Sequence, residues 1–186
     1  MRTIKAMTVG AALALIGSTA QAQTFTVVGD ILANGGWNPA TTVVDPNDAS
    51  SLKVGVTHPG LGNAAILFRA RSAGPTQVTD RITIEVEAPA GQVVKSVTAK
   101  IEGTSYIARM GDTGASLLLE ANDETDASQV NIGVIGNKPW SREMTVYPDA
   151  ESATVKLYAS LFAACSINSC TAQNTIVKAT ITVETQ

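Results

Sequence analysis

The chain has 186 residues, a formal net charge of −3, 45% hydrophobic residues, 16% charged and 4% aromatic. A weakly acidic chain with scattered charges argues against a nucleic-acid partner, and the length suits one domain around one core. Few charges beside abundant Thr, Ser, Ala and Val point to a β-rich extracellular domain rather than a helical cytosolic one.

At the N-terminus Arg2 and Lys5 precede an apolar run from Met7 to Ile16 that closes on Ala20-Gln21-Ala22. This is the pattern of a secretory signal peptide cleaved after Ala22. The run is too short to span a bilayer and no second run of spanning length follows, so no membrane insertion is expected. The expected organisation is a signal peptide over 1–22 and a domain over 23–186, located in the periplasm, on the cell surface or secreted. The removed segment carries Arg2 and Lys5 and no acidic residue, which makes the mature chain more acidic. No cysteine stands beside the cleavage site to take a lipid.

The mature end, Thr24-Phe25-Thr26-Val27-Val28, reads as extended and apolar. It is either an ordinary first strand or a segment that adds to a neighbouring molecule's sheet edge. Gly29 to Ser51 is poor in strand signals, with Gly35-Gly36, Pro39 and Pro46, and reads as a long loop or arm. Trp37 lies here between Gly36 and Asn38. Together with Trp140, which follows Pro139, it is the candidate ligand-binding pair, because flat side chains in turns can stack on sugar rings or anchor a partner. The alternative is that each covers an end of the core.

Strands are expected over Phe25–Val28, Thr41–Val44, Leu52–Thr57 and Ala64–Arg69. The sole histidine, His58, lies in Thr57-His58-Pro59-Gly60 and reads as a solvated turn residue, since no local nucleophile motif accompanies it. Gly60-Leu61-Gly62-Asn63 lacks the Lys and Ser/Thr of a phosphate loop and reads as a turn. From Arg81 to Glu87 the alternation is clearest, with Ile82, Ile84 and Val86 on one side and Thr83, Glu85 and Glu87 on the other. Ala88-Pro89-Ala90-Gly91 supplies a turn, and Val97, Ala99 and Ile101 repeat the alternation, which predicts an antiparallel pair.

Further strands are expected over Ser105–Met110, Ser116–Glu120, Val130–Ile135, Arg142–Tyr147, Ala153–Leu161 and Thr175–Glu184. Tyr106 and Tyr158 fall inside strands as sheet-face residues. Between two of these strands, Leu119 to Asp126 is dense in carboxylates. Glu120, Asp123 and Asp126 are the candidate calcium ligands, with Asp112 as a possible addition, although the spacing matches no calcium-loop motif and a solvated acidic loop is the alternative. Cys165 and Cys170, the two cysteines of the chain, are expected to form a disulfide in an oxidising compartment, closing a small ring worth roughly 2 kcal/mol. Zinc is disfavoured because only His58 could add an imidazole.

So many short strands without helical periodicity predict an all-β, single-domain antiparallel β-sandwich, jelly-roll or Ig-like, preceded by a cleavable signal peptide. A membrane barrel of similar length would need aromatic girdles that this composition does not supply. The expected role is that of a secreted or cell-surface structural or assembly protein, a filament, surface or matrix subunit. The alternative is a non-catalytic carbohydrate- or protein-binding module. Its partners would be itself, another extracellular protein or polysaccharide. No enzyme is expected, since nucleophile motifs and cofactor fingerprints are lacking, and no cofactor beyond calcium at the acidic segment.

Overall fold

The computed structural model describes residues 24–56, 66–70, 74–165 and 171–186. Among them the chain forms two antiparallel sheets. The first contains β1 (Thr26–Ala33), β5 (Gly74–Glu87), β10 (Ser152–Cys165), β7 (Gly111–Ala121) and β8 (Glu124–Ile132), in that spatial order. The second contains β2 (Val43–Asp45), β3 (Asp48–Val54), β11 (Ala172–Thr185), β6 (Val94–Ile107) and β9 (Gly136–Val146), and β4 (Ile66–Ala70) also pairs with β11. β3 lies against Ala179–Thr182 and β4 against Ala172–Ile176, so the two share one edge of β11.

From β4 onward the chain changes sheet at every connection except the β7–β8 hairpin. This yields the interleaved orders β4-β11-β6-β9 and β5-β10-β7-β8, which is the strand order of a jelly roll rather than of an Ig-like sandwich. Alternation places the core between the sheets. In β10, Ala153, Val155, Leu157, Ala159, Leu161 and Ala163 are buried, while Thr154, Lys156, Tyr158, Ser160 and Phe162 face away from them. Ile82, Ile84 and Val86 meet Val97, Ala99 and Ile101 in the same core cluster. Burying a Leu or Ile side chain contributes about 1.5–3 kcal/mol, and the long central strands supply most of these side chains.

Several expectations change. Arg81–Glu87 and Val97–Ile101 do not pair with each other: β5 pairs with β1 and β10, and β6 pairs with β11 and β9. Alternation reports which side of a strand is buried, not which strand lies beside it. The intervening turn, with Gly91 at φ 79 and Gln92 N donating to Pro89 O at 2.9 Å, carries the chain from one sheet to the other. The segment Gly29–Ser51 is not a plain loop, because β1 runs through it to Ala33 and β2 and β3 form a hairpin at its end. Of the two readings of the N-terminal segment, the ordinary first strand holds: it is paired within its own sheet, Thr26 opposite Glu87, and Phe25 is buried, so it is not held free for donation.

The two flanks of the sandwich are closed differently. On one, Thr145 N of β9 donates to Asp126 Oδ2 of β8 at 2.8 Å, and Arg142 Nε donates to Gln129 O at 3.0 Å. Each bond satisfies a backbone group on a strand edge that otherwise invites pairing with another chain. On the other flank the chain crosses from β1 to β2. Asn34 N donates to Arg81 O at 3.0 Å, Asn38 N donates to Gly55 O at 2.8 Å, and a short 3₁₀ turn over Pro39–Thr41 is capped by Asn38, whose Oδ1 accepts from Ala40 N at 3.0 Å.

Candidate functional site

Trp37 and Trp140 do not present ring faces to a ligand. Trp37 is 3% exposed and bridged to Val56, where it covers the flank crossed by the β1–β2 connection. Trp140 is 7% exposed, and its indole fills the space over Gly103, where a Cβ would stand 2.2 Å from Trp140 Cζ2. Its Nε1 donates to Asn174 Oδ1 at 3.0 Å. Asn174 is fully buried, and its Nδ2 donates across the core to Gly114 O at 2.6 Å. The sequence assignment of these tryptophans as stacking platforms is therefore corrected. Their turn-like neighbours, Gly36 and Pro139, lie on strand edges and crossings rather than on loop tips.

The carboxylates proposed for calcium also separate. Residues Glu120 to Asp126 form not a long oxygen-rich loop but a two-residue hairpin turn, with Ala121 opposite Glu124 and Asn122 at φ 53. A tight turn of this kind needs a positive φ, which Asn tolerates. Glu120 points away from the core and pairs with Lys156, whose ammonium is held above its ordinary pKa by that hydrogen bond. Asp126 points the other way and accepts from Thr145 N, while Asp123 is exposed at the turn. Among the described residues no group of three or more His, Cys, Asp or Glu side chains could hold a metal ion. Cys165 ends β10, 5% exposed and with no free thiol, while Cys170 and His58 lie outside the described residues.

The feature that sequence reading missed is the outer face of the first sheet. β10 runs on to Cys165, past the expected end at Leu161, so Phe162 is a strand residue that faces outward beside Tyr158 and Ser160. The register lays out three rows across the sheet. Arg81, Tyr158, Leu118 and Ala127 form one, Thr79, Ser160, Ser116 and Gln129 the next, and Gln77, Phe162, Gly114 and Asn131 the third. Ser160 Oγ accepts from Gln77 Nε2 at 2.5 Å and from Thr79 Oγ1 at 3.0 Å.

Phe162 lies over Gly114. A Cβ there would come within 2.2 Å of Phe162 Cε1, so the missing side chain lets the ring settle onto the sheet. A ring lying on a glycine turns its opposite face away from the protein. Phe162, Asp112, Thr113, Asn131, Ile132 and Gly133 line a depression of about 330 Å³ beside it. Tyr158 stands four residues along the strand, roughly 13 Å away at about 3.3 Å per residue, and the Arg81 guanidinium lies 5.8 Å from its ring centre. The signal in the sequence was the outward phase Tyr158-x-Ser160-x-Phe162, but the glycine beneath Phe162 is 48 residues distant in the chain and becomes its neighbour only through the β10–β7 register.

No family model matches the chain, and no curated protein matches it. Among solved structures it is similar to TmCBM61 in complex with beta-1,4-galactotriose, at 13% identity over 89% of this chain and 92% of that one, with a TM-score of 0.38. It is also similar to the arabinose-bound α-L-arabinofuranosidase MgGH51, at 10% identity over 86% of this chain and 23% of that one, with a TM-score of 0.27. A third is the N-terminal cellulose-binding domain of Cellulomonas fimi beta-1,4-glucanase C, at 10% identity over 83% of this chain and 89% of that one, with a TM-score of 0.29. Among the described residues no helix is long and apolar enough to cross a membrane.

Proposed function

We propose that the chain is a non-catalytic carbohydrate-binding module whose ligand lies along β10 on the outer face of the first sheet. The observation that carries this reading is the Phe162 ring resting over Gly114, with Asp112 and Asn131 beside it and Tyr158 further along the same strand. A pyranose ring offers an apolar C–H face to an aromatic side chain and hydroxyls to polar groups, of which the Asp112 carboxylate accepts and the Asn131 amide both accepts and donates. The Tyr158–Phe162 interval, with the Ser160 hydroxyl between, suits a linear oligosaccharide better than a single sugar. Asp112 is the one carboxylate among the described residues lining the depression, whereas glycoside hydrolysis ordinarily needs two facing acids. That supports binding without cleavage.

An assembly role draws less support. The strand that could be donated to a neighbour already pairs with β5, and the β8 and β9 edges are covered by Asp126 and Arg142. Within the same reading Met1–Ala22 directs export and Cys165–Cys170 fixes the β10–β11 connection. Intact mass of secreted protein would then show a start at Gln23 and no free thiol.

The binding test uses affinity electrophoresis and calorimetry against a panel of neutral polysaccharides and their soluble hexasaccharides. Phe162→Ala and Tyr158→Ala should each weaken binding about tenfold, corresponding to about 1.4 kcal/mol, with little change in melting temperature because both side chains lie on the outer face. Folded variants that bind as well as the parent protein would refute this face as the site.

A further inference from the structure

The opposite face of the sandwich carries a second depression, of about 440 Å³, and it is not a continuation of the first. It sits on the outer face of the second sheet, where β9, β6 and β11 run side by side. Its construction depends on a β-bulge. The β11–β6 register shifts between Ile176 and Lys178, so Val177 and Lys178 both face outward while Ile176 and Ala179 remain buried. Val177 is thereby 45% exposed on one side of the depression. Bulges commonly re-aim side chains beside functional sites. Pro139 of β9 forms the other apolar wall, a position open to proline because β9 is an edge strand.

Between these walls Thr104 and Ser141 contribute hydroxyls and Glu102 a carboxylate. Glu102 stands between Lys100 and Lys178 at 3.7 and 3.8 Å, distances that leave all three charged groups solvated and able to meet a ligand hydroxyl. Gly103 and Trp140 also line it, and both turn toward the core, where the indole seats over Gly103 with its Nε1 held by Asn174, so the sheet beneath the depression is fixed from its inner side. Two apolar walls one strand apart, a rim of mixed donors and acceptors, and a rigid base match a sugar ring, which is apolar on its faces and hydroxylated around its edge.

We infer that this depression is a second saccharide-binding site, back to back with the first. Packed sheets are separated by about 10 Å of side chains, so one linear chain cannot run from one outer face to the other. Each face takes its own chain, and one protein molecule bridges two polysaccharide chains.

The site itself does not need the first one, whereas the bridging rests on the proposed function above, and the experiment separates the two. Cellohexaose, xylohexaose and mannohexaose are titrated into the mature protein, its Phe162→Ala variant and its Val177→Arg variant, in which an exposed residue is replaced so that the fold is spared. The expected result is two equivalents bound by the parent protein, one of them about tenfold weaker in Phe162→Ala and the other lost in Val177→Arg. Turbidity with the corresponding long polymer should appear with the parent protein and be lost with either variant. One equivalent, weakened by Phe162→Ala and untouched by Val177→Arg, overturns the second site and leaves the first. One equivalent, abolished by Val177→Arg and untouched by Phe162→Ala, upholds the site proposed here and overturns the other. No binding by any of the three sugars overturns both.

Discussion

Replacing Asn174 offers the sharpest test of how the sandwich is held together. The Asn174 side chain joins three partners within a fully buried site. Its Oδ1 accepts from Trp140 Nε1 at 3.0 Å and Thr175 N at 3.0 Å, and its Nδ2 donates to Gly114 O at 2.6 Å on the facing sheet. Asn174→Ala strands at least the indole N–H and the Gly114 carbonyl away from water. Each such group costs about 1–3 kcal/mol, and the vacated volume adds a packing loss. The expected destabilisation is about 3–5 kcal/mol, which for a domain of this size lowers the melting temperature by roughly 6–20 °C. Urea unfolding of the protein measures it directly. Asn174→Leu fills the volume yet leaves the same polar groups unpaired, so it should recover only part of the loss.

Asn174→Asp adds a pH signature. It keeps the acceptors but turns a carboxylate oxygen toward the Gly114 carbonyl, which disfavours the charged form in the folded state. The folded pKa of the introduced acid then lies above its unfolded value, and the deficit relative to the parent protein shrinks as pH falls through that folded value. A loss below about 1 kcal/mol for Asn174→Ala, with an unchanged urea dependence, would show that the indole and carbonyl find other partners and that the cross-core bond is dispensable.

Two further outcomes follow from the edges and the charges. With Asp126→Ala and Arg142→Ala together, Thr145 N–H and Gln129 C=O lose their caps, and light scattering should reveal concentration-dependent association absent from the parent protein. A double variant of unchanged mass at the highest concentration reached would show that these bonds do not guard the edge. Asp45 is held below its ordinary value of 3.8 by hydrogen bonds from Asn47 N and Lys53 Nζ. Its stabilising contribution is therefore present above that ordinary value and lost as pH falls through the lowered one. The urea midpoints of the parent protein and Asp45→Asn should differ slightly at neutral pH and converge in acid, and a gap that widens on acidification contradicts the assignment.

Much of the architecture was legible in the residues alone. Period-two alternation identified Ile82, Ile84, Val86, Val97, Ala99 and Ile101 as inward, and all are buried, because burial on one face is a property of a strand by itself. Pairing was not legible. The short turn after Glu87 suggested a hairpin, but crossing to the other sheet satisfies the same alternation, and only the competition among all strands for neighbours decides between them. The acidic stretch misled for a related reason: a sequence lists carboxylates next to one another, while a two-residue turn sends Glu120 and Asp126 to opposite faces.

The tryptophans show where local reading stops. Gly36 and Pro139 signalled turns, yet both tryptophans are buried by residues far away in the chain: Trp37 bridges to Val56, and the Trp140 indole fills the space over Gly103. Composition, alternation and turn chemistry determined that this chain makes a β-sandwich and which side chains it hides. Tertiary structure alone decided that Phe162 rests on Gly114, that Asn174 spans the core and that a bulge turns Val177 outward. Each of these depends on the register between strands distant in the chain, and register is set by packing the whole core at once rather than by any segment.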